Sequence, residues 1–234
     1  VPAAGRGGGG GAGYEARKSG VRTGIRLARA VRLCPHLVIV PPEFRKYRAV
    51  SSQVFDIFRA VTPLVEPLSL DEAYLDVTEN SWNEPIATRV ARRLKERIRE
   101  ATGLTASAGV APNKFLAKVA SDLRKPDGLV EVPPGEEAAF LRELPISRLW
   151  GVGPAAETEM LRLGIRTIGE LAAMAPRRLV DRLGPSAAHL QALARGEDDR
   201  PVVPWDDPKS VGAEETFERD TRDLARLRRT LLGQ

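Results

Sequence analysis

The chain has 234 residues, 42% of them hydrophobic and 29% charged, which is long enough for one large domain or two small ones and too apolar for a wholly disordered chain. Aromatic residues make up only 5%, so the core must be aliphatic, and no stretch approaches the roughly 20 apolar residues of a membrane helix. The net charge is +5, but residues 1–42 hold +6 and residues 43–234 hold −1, so the basic excess sits at the front and forms an electrostatic footprint for a polyanion or a solvated basic arm.

Cysteine and histidine usage narrows the chemistry further. Cys34 alone excludes a disulfide framework and a cysteine zinc site, and with only His36 and His189 besides, any metal must be held by oxygen ligands. No secretory signal is visible, which makes a cytoplasmic location the default expectation.

In chain order, residues 5–13 contain seven glycines. Gly8-x-Gly10-x-x-Gly13 matches a dinucleotide fingerprint in form, but no apolar strand precedes it, so it reads as a glycine tract. Tyr14 to Arg32 carries a helical spacing weakened by Gly20 and Gly24. Leu37–Val40, bounded by Pro35 and Pro41-Pro42, reads as a short strand. Phe44–Val61 predicts an amphipathic helix through Tyr47, Val50, Val54, Phe58 and Val61. Leu64–Thr78 is rich in strand formers and broken by acids. Glu84–Thr102 predicts a basic amphipathic helix on Ile86, Val90, Leu94 and Ile98. A strand over Leu104–Val110, a helix over Asn113–Leu123 and a strand over Leu129–Val132 follow. After Pro133-Pro134-Gly135 the pattern is helical, in short segments, to about Gly196. Pro201–Pro208 reads as a linker, and a strand-like Ser210–Phe217 then precedes a last helix. Strands mixed with helices, then a helical module, predict an α+β domain, a small α domain and the start of a third unit.

The most informative stretch runs from Glu66 to Thr78. Asp71 and Glu72 are adjacent carboxylates, and neighbours in an extended strand point to opposite faces. They share a site only if the backbone turns there. The apolar arms Leu64–Leu70 and Ala73–Val77 on either side predict a hairpin with the acids at its tip. Clustered carboxylates suit Mg²⁺, a hard cation that prefers oxygen. On spacing alone, a solvated turn with two surface acids remains the alternative.

Ser69-Leu70-Asp71-Glu72-Ala73-Tyr74-Leu75-Asp76-Val77-Thr78 resembles the palm signature of the Y-family translesion DNA polymerases. Tyr14-Glu15-Ala16-Arg17-Lys18-x-Gly20-Val21-Arg22 resembles that family's fingers motif, and the run from Ala106 to Asp122 its second palm motif, followed by Lys125-Pro126-Asp127-Gly128. Lys209–Phe217 resembles the opening of its little finger. Four motifs in order span residues 14–217.

The resemblance implies an α+β fold: a mixed-sheet palm with helical fingers, then a small all-α helix-hairpin-helix thumb and the start of an α+β little finger. The implied boundaries are 1–42 for fingers, 43–132 for palm, 133–200 for thumb, 201–209 for linker and 210–234 for little finger. It implies template-directed synthesis past damaged bases, with two Mg²⁺ ions neutralising charge at the attacking and leaving oxygens. Asp71 and Glu72 then match catalytic metal ligands, and Tyr14, Arg17 and Lys125 match residues that contact the triphosphate. Lys114 and Lys118 are expected to support phosphate or DNA contacts less directly. Leu149-Trp150-Gly151-Val152-Gly153-Pro154 reads as a helix-hairpin-helix turn, in which Gly151, Val152 and Gly153 present backbone amides to a DNA phosphate without reading sequence. The implied partners are primer–template DNA, a dNTP and, for a full-length protein, a sliding clamp, with no membrane and a monomeric state.

The chain departs from that pattern in several places. No Asp precedes Asp56, where the family opens with a strand carrying another metal-binding aspartate and then the aromatic that excludes ribonucleotides. Gly11 stands where the family has a threonine, and Thr23-Gly24-Ile25-Arg26 is unlike the family's apolar-proline run. The chain begins with Val1, and the little finger stops soon after it starts. The expectation is a fragment with weakened Mg²⁺ binding and impaired synthesis. A non-catalytic DNA-binding relative, using the thumb hairpin and basic front end, is the alternative.

Overall fold

The computed structural model describes residues 10–185, 187–205, 207, 210–214, 217 and 220–233. Chain contacts divide it into two units, residues 46–206 and residues 1–45 with 207–234.

In the first unit in chain order, helix α1 (Tyr14–Lys18) and helix α2 (Leu27–Leu33) are separated by turns in which Gly20 and Gly24 take φ of 82° and 79°. Only glycine enters that region at little cost, so the periodicity from Tyr14 to Arg32 breaks into two helices there. Val21, Ala30 and Cys34 form a small core with Ala12, Ala16, Ile25 and Leu37 around it. Leu37–Val40 forms no strand, contrary to the sequence expectation. The prolines on both sides lack backbone N–H groups and no neighbouring strand is present among the described residues, and Val38 is 82% exposed. At the far end, helix α11 (Leu224–Leu232) is capped by Asp223, whose carboxylate accepts from Arg226 N at 3.1 Å. The described residues of Ser210–Phe217 are not in a strand, and Lys209, Glu215 and Thr216 of that motif lie outside the described residues.

Helix α3 (Phe44–Arg59) is followed by the antiparallel hairpin of β1 (Val65–Pro67) and β2 (Ala73–Leu75). Helix α4 (Ala87–Thr102) buries Val90, Leu94 and Ile98 of the stripe its periodicity predicts, leaves the fourth member, Ile86, exposed at the N-cap, and ends on Gly103 in the left-handed conformation. Strands β3 (Ala108–Val110) and β4 (Leu129–Glu131) pair in parallel across helix α5 (Lys114–Leu123). A parallel pair needs a crossover, and α5 supplies it. The strands thus form two separate pairs, one antiparallel and one parallel.

Beyond Pro133-Pro134-Gly135 the chain is helical: α6 (Glu137–Arg142), a 3₁₀ turn at Ile146–Arg148, α7 (Pro154–Arg162), α8 (Ile168–Ala173), α9 (Pro176–Leu183) and α10 (Ala187–Ala194). Short helices need strong end signals. Thr167 and Glu170 make a capping box for α8, and Pro154 and Pro176 open α7 and α9. The main aliphatic core joins Phe115, Leu116 and Val119 of α5 to Leu141, Ile146, Leu149, Met160 and Ile165 of this helical module. No helix among the described residues is long and apolar enough to cross a membrane.

Candidate active site

The hairpin register sets Val65 opposite Leu75, Glu66 opposite Tyr74 and Pro67 opposite Ala73. Residues 68–72 close it, with Leu68 N and Ser69 N both donating to Glu72 O at 2.9 and 3.3 Å. Asp71 and Glu72 therefore stand at a bend in the backbone, as the flanking apolar arms predict. Asp71 is exposed, and its Oδ1 accepts from Ser69 Oγ at 2.7 Å. Glu72 is half-buried and its carboxylate accepts from Lys118.

Lys118 reaches Glu72 because α5 lies against the hairpin. Lys114, one helical turn earlier on the same face, donates to both carboxylate oxygens of Glu66 at 2.9 and 2.7 Å. That lysine is nearly buried, and its ammonium lies 5.5 Å from the Tyr74 ring centroid. Glu66 also accepts from Val203 N at 2.8 Å. Burial pushes the Tyr74 phenol from 10.0 up to about 12. The start of α5 is pinned twice. Asn113 accepts from Leu116 N at 3.0 Å, and Asp198 accepts from Phe115 N at 3.0 Å while holding Arg200 in a two-point pair. Opposed hydrogen bonds and burial leave the Asp198 carboxyl below its ordinary value, because Arg200 and two backbone amides favour its charged form over the cost of desolvation.

Lys125 follows α5, and its ammonium pairs with Asp122. In the other unit, Tyr14 and Arg17 share a face of α1. The Arg17 guanidinium lies 5.4 Å from the Tyr14 ring centroid, and its Nε donates to Ala12 O at 2.8 Å. In the helical module Val152 N donates to Leu149 O at 3.0 Å. Gly151 takes φ of 95°, and the extended, exposed Gly153 opens α7 between the exposed Pro154 and the half-buried Val152, which packs against the core. A nine-residue helix starting there presents first-turn amides suited to a phosphate.

Among the described residues no group of three or more His, Cys, Asp or Glu gathers for a metal. The two donors at the hairpin tip fit Mg²⁺ in kind, because that ion is usually held by one or two carboxylates together with waters and substrate phosphates. Lys118 already neutralises one oxygen of Glu72, so a cation at the tip shares that carboxylate with an ammonium.

Glu66, Asp198 and Arg200 carry no role in the sequence reading. For Glu66 the strand alternation that sets it against Tyr74 was the available signal, since its partners lie 48 and 137 residues away; Asp198 and Arg200 pair locally, two residues apart, but the Phe115 amide that Asp198 holds is 83 residues away.

Residues 11–122 match the impB/mucB/samB family, and residues 134–165 match the helix-hairpin-helix motif of the same family. The chain is 49% identical over 218 residues to DNA polymerase IV of Ralstonia nicotianae, covering 93% of this chain and 61% of that protein. To DNA polymerase IV of Stenotrophomonas maltophilia it is 51% identical over 209 residues, covering 89% of this chain and 59% of that one. Among solved structures, DinB from Sulfolobus solfataricus superposes with a TM-score of 0.75 at 34% identity over 81% of this chain and 56% of that chain. A Y-family DNA polymerase chimera superposes with a TM-score of 0.74 at 33% identity over 83% of this chain and 57% of that one. The chain thus spans about three fifths of the length of the curated relatives it matches. On these matches the chain belongs to the impB/mucB/samB family, within the Y-family DNA polymerases.

Proposed function

We propose that this chain carries the catalytic palm carboxylates and the DNA-gripping hairpin of a translesion DNA polymerase, which transfers a nucleotide from a dNTP to a primer 3′-hydroxyl. The observation that carries the reading is the hairpin tip, where Asp71 and Glu72 stand side by side against a lysine-bearing helix. Residues 1–42 are read as fingers, 43–132 as palm, 133–200 as thumb, 201–209 as linker and 210–234 as the start of the little finger. Asp71 and Glu72 would hold Mg²⁺, whose chemistry is to neutralise charge on the attacking and leaving oxygens. Ser69 orients Asp71 by donating to one of its oxygens, which leaves the other for a ligand. Lys118 fixes Glu72 and offsets its charge. Lys125, Arg17 and Tyr14 bind the triphosphate. The amides of Gly151, Gly153 and the first turn of α7 hold the DNA backbone without reading its sequence, while Val152, whose amide is given to Leu149 O, shapes the turn.

Primer extension with Mg²⁺, set beside duplex binding, tests this. Asp71→Ala is expected to lower incorporation by about 100-fold or more, the usual scale for losing a transition-state charge contact, and to leave duplex affinity unchanged. A chain that binds duplex but incorporates equally with and without Asp71 overturns the catalytic reading and leaves a DNA-binding relative.

A further inference from the structure

Lys95 is a nearly enclosed cation far in sequence from everything it touches. It leaves α4 beside the buried stripe of Val90, Leu94 and Ile98, with its side chain 15% exposed. Its ammonium donates to Asp127 O at 2.6 Å and Gly128 O at 3.0 Å, and pairs with Asp127 Oδ1 at 3.0 Å. An ammonium has three donors, and three acceptors meet it here. Arg99, one turn further along α4, adds a contact to Asp127 Oδ2 at 3.6 Å.

The receiving turn is tight. Asp127 has φ of 56°, in the left-handed region that among non-glycine residues Asn and Asp enter most readily. At Gly128 a Cβ would fall 2.2 Å from Arg124 O, so the chain doubles back too tightly for any side chain. Gly128 N donates to Ser107 Oγ at 3.2 Å and Gly128 O accepts from Ala108 N at 3.0 Å. One side of the turn is thus fixed by the start of β3 and the other by Lys95. The residue this turn carries at its head is Lys125.

We infer that Lys95 is a positioning residue for nucleotide binding: it clamps the Lys125–Gly128 turn so that Lys125 is presented to the triphosphate of the incoming nucleotide. This rests on the reading of Lys125 given above. Lys95 does not touch the nucleotide. It acts through the backbone of Asp127 and Gly128, and its removal frees the turn rather than removing a charge from the phosphate.

The test is equilibrium titration of the chain, bound to a primer–template duplex, with N-methylanthraniloyl-dATP. Lys125→Ala is expected to weaken nucleotide binding by about tenfold, which is about 1.4 kcal/mol. Lys95→Met is expected to weaken it by a similar factor without changing duplex affinity. The double variant should stay within about twofold of Lys125→Ala alone, since two residues acting through one contact are not additive. Wild-type nucleotide affinity in Lys95→Met beside a weakened Lys125→Ala overturns the inference and leaves the reading of Lys125 standing. Additive losses also overturn it, because Lys95 would then act independently of Lys125. If Lys125→Ala binds nucleotide like wild type, the reading of Lys125 itself falls, and the inference with it. Asp127→Asn keeps both carbonyl acceptors and loses the charged contacts to Lys95 and Arg99, so it covers a Lys95→Met chain that fails to fold. It should weaken binding in the same direction by about threefold, less than 1 kcal/mol, and unchanged affinity there overturns the inference.

Discussion

Gly109 is the position where a single methyl group should do the most harm. It lies in β3 beneath α5, and a Cβ there would fall 2.0 Å from Ala117 O, 2.6 Å from Ser121 N and 2.9 Å from Ala120 Cβ, where ordinary contact is 3.4–4 Å. Two of those three atoms are backbone, so no rotamer change relieves the clash. The helix must move away from the strand, and its other side prevents that: Phe115 and Leu116 are fully buried in the core and Val119 is 4% exposed there. Overpacking of this kind costs about 1–3 kcal/mol, and contact with backbone puts Gly109→Ala at about 3 kcal/mol. The smaller backbone entropy of alanine in the unfolded chain returns about 0.5–1 kcal/mol of that. For a domain of this size each kcal/mol lowers Tm by about 2–4 °C, so a fall of about 4–10 °C is expected. Thermal and urea unfolding followed by circular dichroism measure it. Gly11→Ala, where nothing lies within 4 Å, serves as the control. A Gly109→Ala chain within about 0.5 kcal/mol of wild type would mean that β3 and α5 do not approach this closely.

Lys114→Met strips the Glu66 carboxylate of its ammonium and leaves it half-buried with only Val203 N. Breaking a buried pair from one side costs about 3 kcal/mol, seen as a lower urea midpoint, and an unshifted midpoint would show the pair to be solvated. The Tyr74 phenol titrates at about 12 in the folded chain against 10.0 when exposed, so above pH 10 the unfolded chain loses its proton first. Stability is therefore retained up to about pH 10 and declines as pH rises toward 12. Unfolding midpoints collected across that window should fall more steeply for wild type than for Tyr74→Phe, and equal slopes would mean that the ring is not buried.

The hairpin tip was legible because the signal is local. Two apolar arms flank adjacent acids, and only a turn lets those acids share a place. Helix α4 was legible for a similar reason, since Val90, Leu94 and Ile98 repeat every four residues and all three are buried. The ionic surroundings of the tip were not legible. Lys114 and Lys118 are solvated or phosphate-facing on any local reading, yet they pair with Glu66 and Glu72, 48 and 46 residues earlier. Nothing in a spacing rule reports which carboxylate a helix will meet once it crosses a sheet. The apolar run at Leu37–Val40 misleads in the opposite direction. Its composition suits a strand, but a strand exists only with a partner to share its hydrogen bonds, and among the described residues none is present.

Helix α5 explains why the tip and the helical module belong to one mechanical unit. Its Lys114 and Lys118 face the hairpin, while Phe115, Leu116 and Val119 enter the same core as Leu149 and Met160, which flank the Gly151–Gly153 turn in sequence. Its first turn is tied to Gly196 and Asp198 beyond α10, through Asn113 Nδ2 to Gly196 O at 2.7 Å and Phe115 N to Asp198. Close-packed interiors transmit displacement instead of absorbing it. On the proposed function, a duplex held at the hairpin turn and a nucleotide held at the carboxylates would have to meet within a fraction of an ångström for in-line attack. Phosphate contacts that ignore sequence position the duplex but cannot by themselves align a reacting atom. On that reading the alignment would come from the protein between the two contacts, which in this chain is the ten residues of α5, wedged between an acidic hairpin and an aliphatic core.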